Sequence, residues 1–289
     1  MSATLEIVFP PLHPGQRAVV DSPARFKVLA AGRRWRKTSL GVQMCLRTSL
    51  EGSKRTWWIG PSYPVATIGW RMSKHLARQI PEAEIHEVDK MIGLPGGGEF
   101  QVKSADNPDS LRGSGLDGVV IDEAAYVTEE AWTEALRPAL SDRRGWAMFL
   151  STPNGKNWFH RLWERAACTE GWARWQFPTW SNPYIAPEEI ELARAELGPV
   201  VFAQEFGAEF LDAAMLKPFR AEWLRYWGVD GEPEVPPDED VVTEAGFDPA
   251  VSTKDTANRS ALVVASQARR GAQRGRLFVR EALAGHWTP

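Results

Sequence analysis

Lys37 and Thr38 close the segment Ala31-Gly32-Arg33-Arg34-Trp35-Arg36, which follows the apolar run Val28-Leu29-Ala30. A strand that runs into such a loop turns backbone N–H groups and a helix N-terminus toward phosphate oxygens. Lys37 then reaches the β/γ oxygens and the Thr38 hydroxyl ligates Mg²⁺. Against the pattern G-x-x-x-x-G-K-[ST], Ala31 stands at the first position and Arg36 replaces the Gly before the lysine. Arginine there puts a Cβ and a long cation where the backbone turns tightly. A strand followed by a basic amphipathic helix accounts for the same residues.

Two more strand ends carry the rest of the chemistry. Asp117-Gly118-Val119-Val120-Ile121-Asp122-Glu123 is a β-branched run ending in adjacent carboxylates, as a buried parallel strand does at the edge where α/β sheets hold ligands. Asp122 is suited to hold Mg²⁺ through water, and Glu123 to polarise the water that attacks a γ-phosphate; a strand followed by a helix cap is the plainer reading. Trp146 to Leu150 ends in Ser151-Thr152-Pro153-Asn154-Gly155. That sequence resembles the coupling motif of motor ATPases, in which a hydroxyl beside the γ-phosphate reports hydrolysis, and it equally suits an ordinary Pro-Asn-Gly turn.

The elements that must position these groups follow from apolar periodicity. Strands are expected at 26–30, 56–59, 119–121 and 147–150, helices at 38–49, 65–79 and 129–140, and a hairpin around Gly96-Gly97-Gly98. Helices at 158–168, 187–197 and 199–206 are expected to cap this domain. The alternation predicts an α/β fold, a doubly wound, mostly parallel P-loop sheet with nucleotide at the strands' C-terminal edge. The domain is expected over 1–212, with an acidic, Pro-rich linker over 213–243 and a second domain opening at 244–289.

Composition sets the outer limits. The 289 residues, 43% apolar, provide one large α/β domain and part of another. Cys45 and Cys168 form no disulfide framework and no metal spacing, which points to a reducing compartment, with Cys45 an inert core residue. No signal peptide or membrane-length apolar run is present. A net charge of −3 excludes DNA binding by a global positive field, leaving local patches at Lys54-Arg55, Arg143-Arg144 and 269–276. The last reads most simply as a solvated hairpin loop. The fourteen tryptophans, Trp57, Trp58, Trp70, Trp132, Trp163 and Trp175 among them, are expected to pack in the core, since duplex DNA hides its bases from stacking.

The order of short words along the chain is more specific than any one of them. Leu12-His13-Pro14-Gly15-Gln16, the Ala31-to-Thr38 loop, Ile59-Gly60-Pro61-Ser62, Ser110-Leu111-Arg112-Gly113, Ile121-Asp122-Glu123-Ala124, Ser151-Thr152-Pro153, Ser181-Asn182-Pro183 and 204–210 follow one another as in a known family. Together they resemble the large terminase subunit of tailed bacteriophages. The resemblance implies an ATP- and Mg²⁺-dependent motor that pumps double-stranded DNA into a preformed capsid. It further implies a homo-oligomeric ring, a small terminase subunit and a portal protein as partners, no membrane, and a place in the host bacterial cytoplasm and transiently at the procapsid portal.

By position, Gln16 becomes the adenine reader, its amide matching N6 and N7. Gly32, Arg33, Arg34, Lys37 and Thr38 form the ATP-binding set, Glu123 and Arg112 the catalytic pair, and Ser151 and Thr152 the coupling pair. Arg112 would reach a neighbouring subunit's nucleotide as an arginine finger, or else cap the Asp109-to-Gly115 turn, and Arg33, Arg34 and Arg36 compete for the finger role. The 244–289 region resembles the opening of an RNase H-like nuclease, with Asp248 a ligand for catalytic Mg²⁺ or Mn²⁺ and Asp255 a turn residue. Two-metal cleavage needs several converging carboxylates, so no cutting is expected of the chain as given, as in a truncated or split gene. A helicase or DNA-repair ATPase and a non-catalytic prophage remnant are the rival readings.

Overall fold

The computed structural model describes residues 7–212, 240–248, 260–271 and 274–285. The chain divides into two compact units, 1–218 and 219–289.

The first unit is built on an eight-stranded sheet. Its strands are β1 (Phe26–Ala31), β2 (Arg55–Gly60), β3 (Glu84–His86), β4 (Met91–Leu94), β5 (Gly98–Ser104), β6 (Gly118–Asp122), β7 (Trp146–Ser151) and β8 (Trp172–Phe177), in the order β3-β4-β5-β2-β6-β7-β1-β8. From β5 to β8 every pairing is parallel, and β3 and β4 add an antiparallel edge. The β4–β5 turn falls at Gly96 and Gly97, both with positive φ, where the hairpin is expected.

The central strands read as unbroken apolar runs because both sheet faces are covered. Phe26, Val28, Trp57, Ile59, Val119, Ile121, Ala147 and Phe149 enter one core, while Leu29, Trp58, Val120, Met148 and Leu150 enter the other. The second core is closed by α2 (Lys37–Ser49) and α3 (Tyr63–Ala77), the first by α5 (Trp158–Ala166) and the segment after β6. Trp57, Trp58, Trp70 and Trp132 are buried as expected, and Trp163 and Trp175 half-buried.

Four elements depart from the expectation. The helix expected at 129–140 contains a π-helical segment, Ala131–Leu136, before α4 (Arg137–Ala139). The helix expected at 158–168 does not cap the domain: α5 packs on β1 and β8 as the crossover from β7 to β8. Strand β8 itself, and the short helix α1 (Pro14–Val20), were not signalled by periodicity. Helices α6 (Pro187–Glu196) and α7 (Pro199–Glu205) follow β8 as expected.

The second unit shows an antiparallel sheet of β9 (Val241–Asp248), β10 (Ser260–Ala268) and β11 (Leu277–Gly285), with β10 central. Strand β9 begins three residues before the expected domain start. Asp255, most of the 213–243 linker and Gln273 in the basic loop lie outside the described residues. No helix among the described residues is long and apolar enough to cross a membrane.

Candidate active site

The segment between β1 and α2 is a loop held in an unusual backbone. Arg34 (φ 63°) and Arg36 (φ 72°, ψ 34°) are both left-handed. Arg36 therefore occupies the conformation for which glycine is the usual choice, at a cost of about 1–2 kcal/mol for a residue with a Cβ. Its guanidinium lies over the Tyr184 ring at 4.3 Å. Arg36 is the N-cap of α2 and makes no side-chain cap, so the N–H groups of the first turn remain open to an anion.

Lys37 opens α2 and turns its ammonium back into the loop. With 7% exposure, its Nζ donates to the carbonyls of Ala31 (2.8 Å) and Gly32 (3.2 Å) and to Thr152 Oγ1 (3.0 Å). Burial lowers its pKa, opposed by the nearby Glu123 and Asp122 carboxylates. Two of these acceptors are backbone carbonyls that phosphate oxygens can replace.

Strand β6 delivers the acids. Asp122 is 3% exposed, its Oδ1 has no hydrogen-bond partner, and desolvation followed by repulsion from Glu123 pushes its pKa up to about 7, against the pull of Lys37. Glu123 leaves the strand in a left-handed conformation (φ 46°), the kind of backbone outlier that gathers at functional sites. Ser151 Oγ receives the Ala125 N–H at 3.3 Å and lies 2.7 Å from the Thr152 carbonyl and 3.3 Å from Glu123 Oε2. Neighbouring residues at the end of β7 thus touch both Lys37, through Thr152 just beyond the strand, and Glu123, through Ser151.

An orphaned, buried carboxylate oxygen fits a cation, and Thr38 stands half-buried at the second position of α2. Among the described residues no three Asp, Glu, His or Cys side chains gather around a single point. An ion here must take most of its oxygens from phosphate and water, which is how Mg²⁺ is usually held. Beside these groups opens a cleft of about 400 Å³, with Pro61, Val65 and Ile68 as an apolar wall. Arg33, Glu123, Tyr126, Thr152 and Glu205 form the rest.

The loop is braced from a distance. Thr179 Oγ1 donates to the Arg33 carbonyl at 2.8 Å, and Asn182 Nδ2 to the Arg34 carbonyl at 2.9 Å. Ser181 Oγ accepts from the fully buried Trp35 indole at 2.8 Å, and that ring stacks on Phe177 with His13 at its edge. Gly32 packs so closely that a Cβ would lie 2.3 Å from Thr179 Oγ1 and 2.5 Å from the Phe206 carbonyl. Its glycine serves packing against this brace. Thr179, Ser181, Trp35 and Glu205 have no role in the sequence reading, although Ser181-Asn182-Pro183 and 204–210 stood among its words.

The placement of three further expected residues is as follows. Gln16 is buried with its amide already engaged, Oε1 accepting the His13 N–H (3.1 Å) and Nε2 donating to the Arg36 carbonyl (3.1 Å). In this geometry it joins α1 to the loop. Arg112 is exposed, paired with Asp109 (2.9 Å) and Glu134 (3.0 Å), and does not line the cleft. Asp248 ends β9 exposed, opposite Ala261. Of the basic patches, Lys54 faces Glu51, Arg55 faces Glu99 and Arg143 faces Asp117.

Residues 43–224 match the family profile "Terminase large subunit, T4likevirus-type, N-terminal". The terminase large subunit of Thermus virus P23-45 is 31% identical over 269 residues, covering 77% of this chain and 55% of that protein. That of Escherichia phage T5 is 30% identical over 199 residues, covering 67% and 45%. This chain spans about half the length of the curated relatives it matches. Among solved structures, the large terminase ATPase domain of Thermus phage P74-26 aligns with a TM-score of 0.62 at 27% identity, over 70% of this chain and 94% of that one.

Proposed function

The chain belongs to the terminase large-subunit family, and from that premise we propose that its first unit hydrolyses ATP to drive double-stranded DNA into a procapsid. The observation that carries this reading is the convergence of Lys37, Asp122, Glu123, Ser151 and Thr152 on the uncapped N-terminus of α2, beside an open cleft. Incoming phosphates take the place of the Ala31 and Gly32 carbonyls on Lys37, while the first-turn N–H groups of α2 receive the oxygens between them. Thr38 and, through water, Asp122 would hold a Mg²⁺ ion, which would supply charge neutralisation for the phosphates. Glu123 orients and polarises the attacking water, and its carboxylate is the group that Ser151 touches. Thr152 bonds Lys37, so the β7 terminus senses both sides of the scissile bond.

The remaining roles are proposals on the same footing. For Gln16 to read adenine, its amide must leave the Arg36 carbonyl and the His13 N–H. For Arg112 to act as a finger on a neighbouring subunit, it must leave Asp109 and Glu134. The second unit is read as the opening of an RNase H-like nuclease, with Asp248 a metal carboxylate once Mg²⁺ or Mn²⁺ and further acids surround it. A ring of copies, a small terminase subunit and a portal protein complete the packaging assembly, in the host cytoplasm.

Steady-state ATP hydrolysis by the purified chain, with and without duplex DNA, tests the reading. Lys37→Ala and Glu123→Gln should each lower turnover by about 10²–10⁴-fold, and DNA should stimulate the unaltered chain. Absence of turnover together with absence of ATP binding by calorimetry would mean that the loop with Arg36 no longer works, and the remnant reading would replace this one.

A further inference from the structure

Each carbonyl from Arg33 to Arg36 is held by a side chain from outside the loop. Thr179 and Asn182 hold those of Arg33 and Arg34, His13 Nε2 lies 3.2 Å from that of Trp35, and Gln16 Nε2 lies 3.1 Å from that of Arg36. In a trans peptide the C=O and the next N–H point in opposite directions. Fixing a carbonyl therefore also aims an N–H, and alternating left-handed residues such as Arg34 and Arg36 are what turn successive N–H groups into an anion-binding concavity. The Arg36 N–H shares its peptide with the Trp35 carbonyl and donates to nothing among the described residues. Thr179 and Asn182 belong to the brace, and reading adenine takes Gln16 away from Arg36. His13 is left.

We propose that His13 is a positioning residue of the phosphate loop, whose neutral imidazole donates Nε2–H to the Trp35 carbonyl and so keeps the Arg36 N–H aimed at phosphate oxygens. The inference rests on the reading of the loop as a triphosphate site. A carbonyl only accepts, so Nε2 carries the proton; the Gln16 N–H only donates, so Nδ1, 3.4 Å from it, is bare. One tautomer satisfies both partners. Burial lowers the pKa of the ring, opposed by the Trp35 carbonyl and assisted by Arg36, which keeps the imidazole neutral.

The imidazole is held in place on every side. It is 2% exposed and meets the fully buried Trp35 ring edge-on, with centroids 4.6 Å apart. Gly15 leaves no slack beside it, since a Cβ there would lie 2.9 Å from the Trp35 ring and 3.3 Å from His13 Cε1. The far end of α1 is tied as well: Lys27 of β1, 4% exposed, donates its Nζ to the carbonyls of Val19 (2.7 Å), Val20 (3.2 Å) and Ser22 (2.8 Å). Strand β1 thus fixes α1, and α1 fixes the loop that leaves β1. When Gln16 turns to a base, the His13 bond is the tie that keeps this peptide in register with the phosphates.

The experiment uses the full chain with Mg²⁺ in calorimetry, with a non-hydrolysable ATP analogue and with tripolyphosphate, alongside kcat and KM for ATP. His13→Asn places an acceptor where Nδ1 stands, so the Gln16 N–H keeps its partner, but it has no donor for the Trp35 carbonyl. His13→Gln has an amide long enough to restore that donor. In His13→Asn both ligands should bind about three- to tenfold more weakly, the worth of one hydrogen bond. KM should rise by the same factor with kcat unchanged, as when an interaction common to ground and transition states is lost, and His13→Gln should recover most of the loss. A merely structural His13 would lower the folded fraction, so kcat would fall at constant KM. On the unaltered chain at neutral pH, long-range ¹H–¹⁵N correlation should show His13 as the neutral Nε2–H tautomer. An imidazolium or Nδ1–H form, an unchanged Kd in His13→Asn, or no recovery in His13→Gln overturns the proposal and leaves the nucleotide reading intact. Weakening confined to the nucleotide, with tripolyphosphate unaffected, also overturns it, because His13 would then act through the base. Failure of the unaltered chain to bind either ligand overturns both.

Discussion

Asp122 and Asp248 each end a β-strand, and each has the residue type and strand-end position of a metal carboxylate, but the chain surrounds them in opposite ways. Asp122 closes a parallel strand buried along its whole length, between β2 and β7, with Lys37 and Glu123 as charged neighbours. Asp248 closes a strand whose last six residues are exposed, and no cluster of acids or imidazoles forms around it among the described residues. Position at a strand end is shared; dehydration and near charges are not. Those two factors shift a carboxyl group toward functional use. The contrast extends from these residues to the regions around them, and substitutions can test it at three scales.

The largest effect is expected at the aspartates themselves. Folded Asp122 keeps its proton up to about pH 7, whereas an unfolded aspartate releases it near 3.9. In divalent-free buffer this group therefore stabilises the fold most below the unfolded value, and that stability is lost as pH rises through the folded one. Asp122→Asn removes the loss, leaving Lys37 its three hydrogen bonds and the Glu123 charge. At pH 8 the variant should be more stable than the parent by on the order of a few kcal/mol, a gap that closes toward pH 4. Its ATP turnover should fall at least about 100-fold. Asp248→Asn should alter neither quantity. A thermal melt at pH 8 that shows Asp122→Asn to be the less stable protein would remove the physical basis of the comparison.

Next in size is the effect of a single methyl group. Gly32→Ala forces a Cβ to within 2.5 Å of two braced atoms, Thr179 Oγ1 and the Phe206 carbonyl, so backbone must shift and stability should drop by about 1–3 kcal/mol. Nucleotide affinity should drop with it, because the displaced segment carries the loop. Gly246 of β9 has nothing within 4 Å of the equivalent position among the described residues, and Gly246→Ala should stabilise its strand by about 0.5–1 kcal/mol. Urea unfolding of the two variants measures both values, and equal costs would mean that the two regions pack alike.

Legibility in the sequence divides along the same line between groups that act through type and groups that act through contact. Strands β1, β2, β6 and β7 were readable because burial on both faces makes them continuous apolar words, and Lys37, Asp122, Glu123, Ser151 and Thr152 were readable from chemistry placed at their ends. Strand β8 was not, since Arg174 and Gln176 interrupt a half-exposed edge. The π-helical stretch at Ala131–Leu136 is a shift in backbone hydrogen bonding, which side-chain periodicity does not record. The brace was hidden for another reason: Thr179, Asn182 and Glu205 meet the loop across 146, 148 and 172 residues. Gln16 shows the same limit, because an amide announces that it can pair but not that its partners are His13 and Arg36.

The smallest effect concerns the residue at which the chain departs from the phosphate-loop pattern. Arg36 has the left-handed backbone of the missing glycine, at about 1–2 kcal/mol for carrying a Cβ. The stacking of its guanidinium on Tyr184 returns about 0.5–1 kcal/mol at an exposed site. Arg36→Gly relieves the first and forfeits the second, so its stability should stay within about 1 kcal/mol of the parent. Arg36→Ala keeps the strained backbone and loses the ring contact, and should be less stable by about 0.5–1 kcal/mol. In the second unit, Gly275 has a similar φ of 86° with open space around it, and Gly275→Ala should cost about as much as the left-handed conformation alone. If Arg36→Gly proved as destabilising as Arg36→Ala, the stack on Tyr184 would outweigh the backbone term, and Arg36 would be an anchor of the loop instead of a tolerated replacement for glycine.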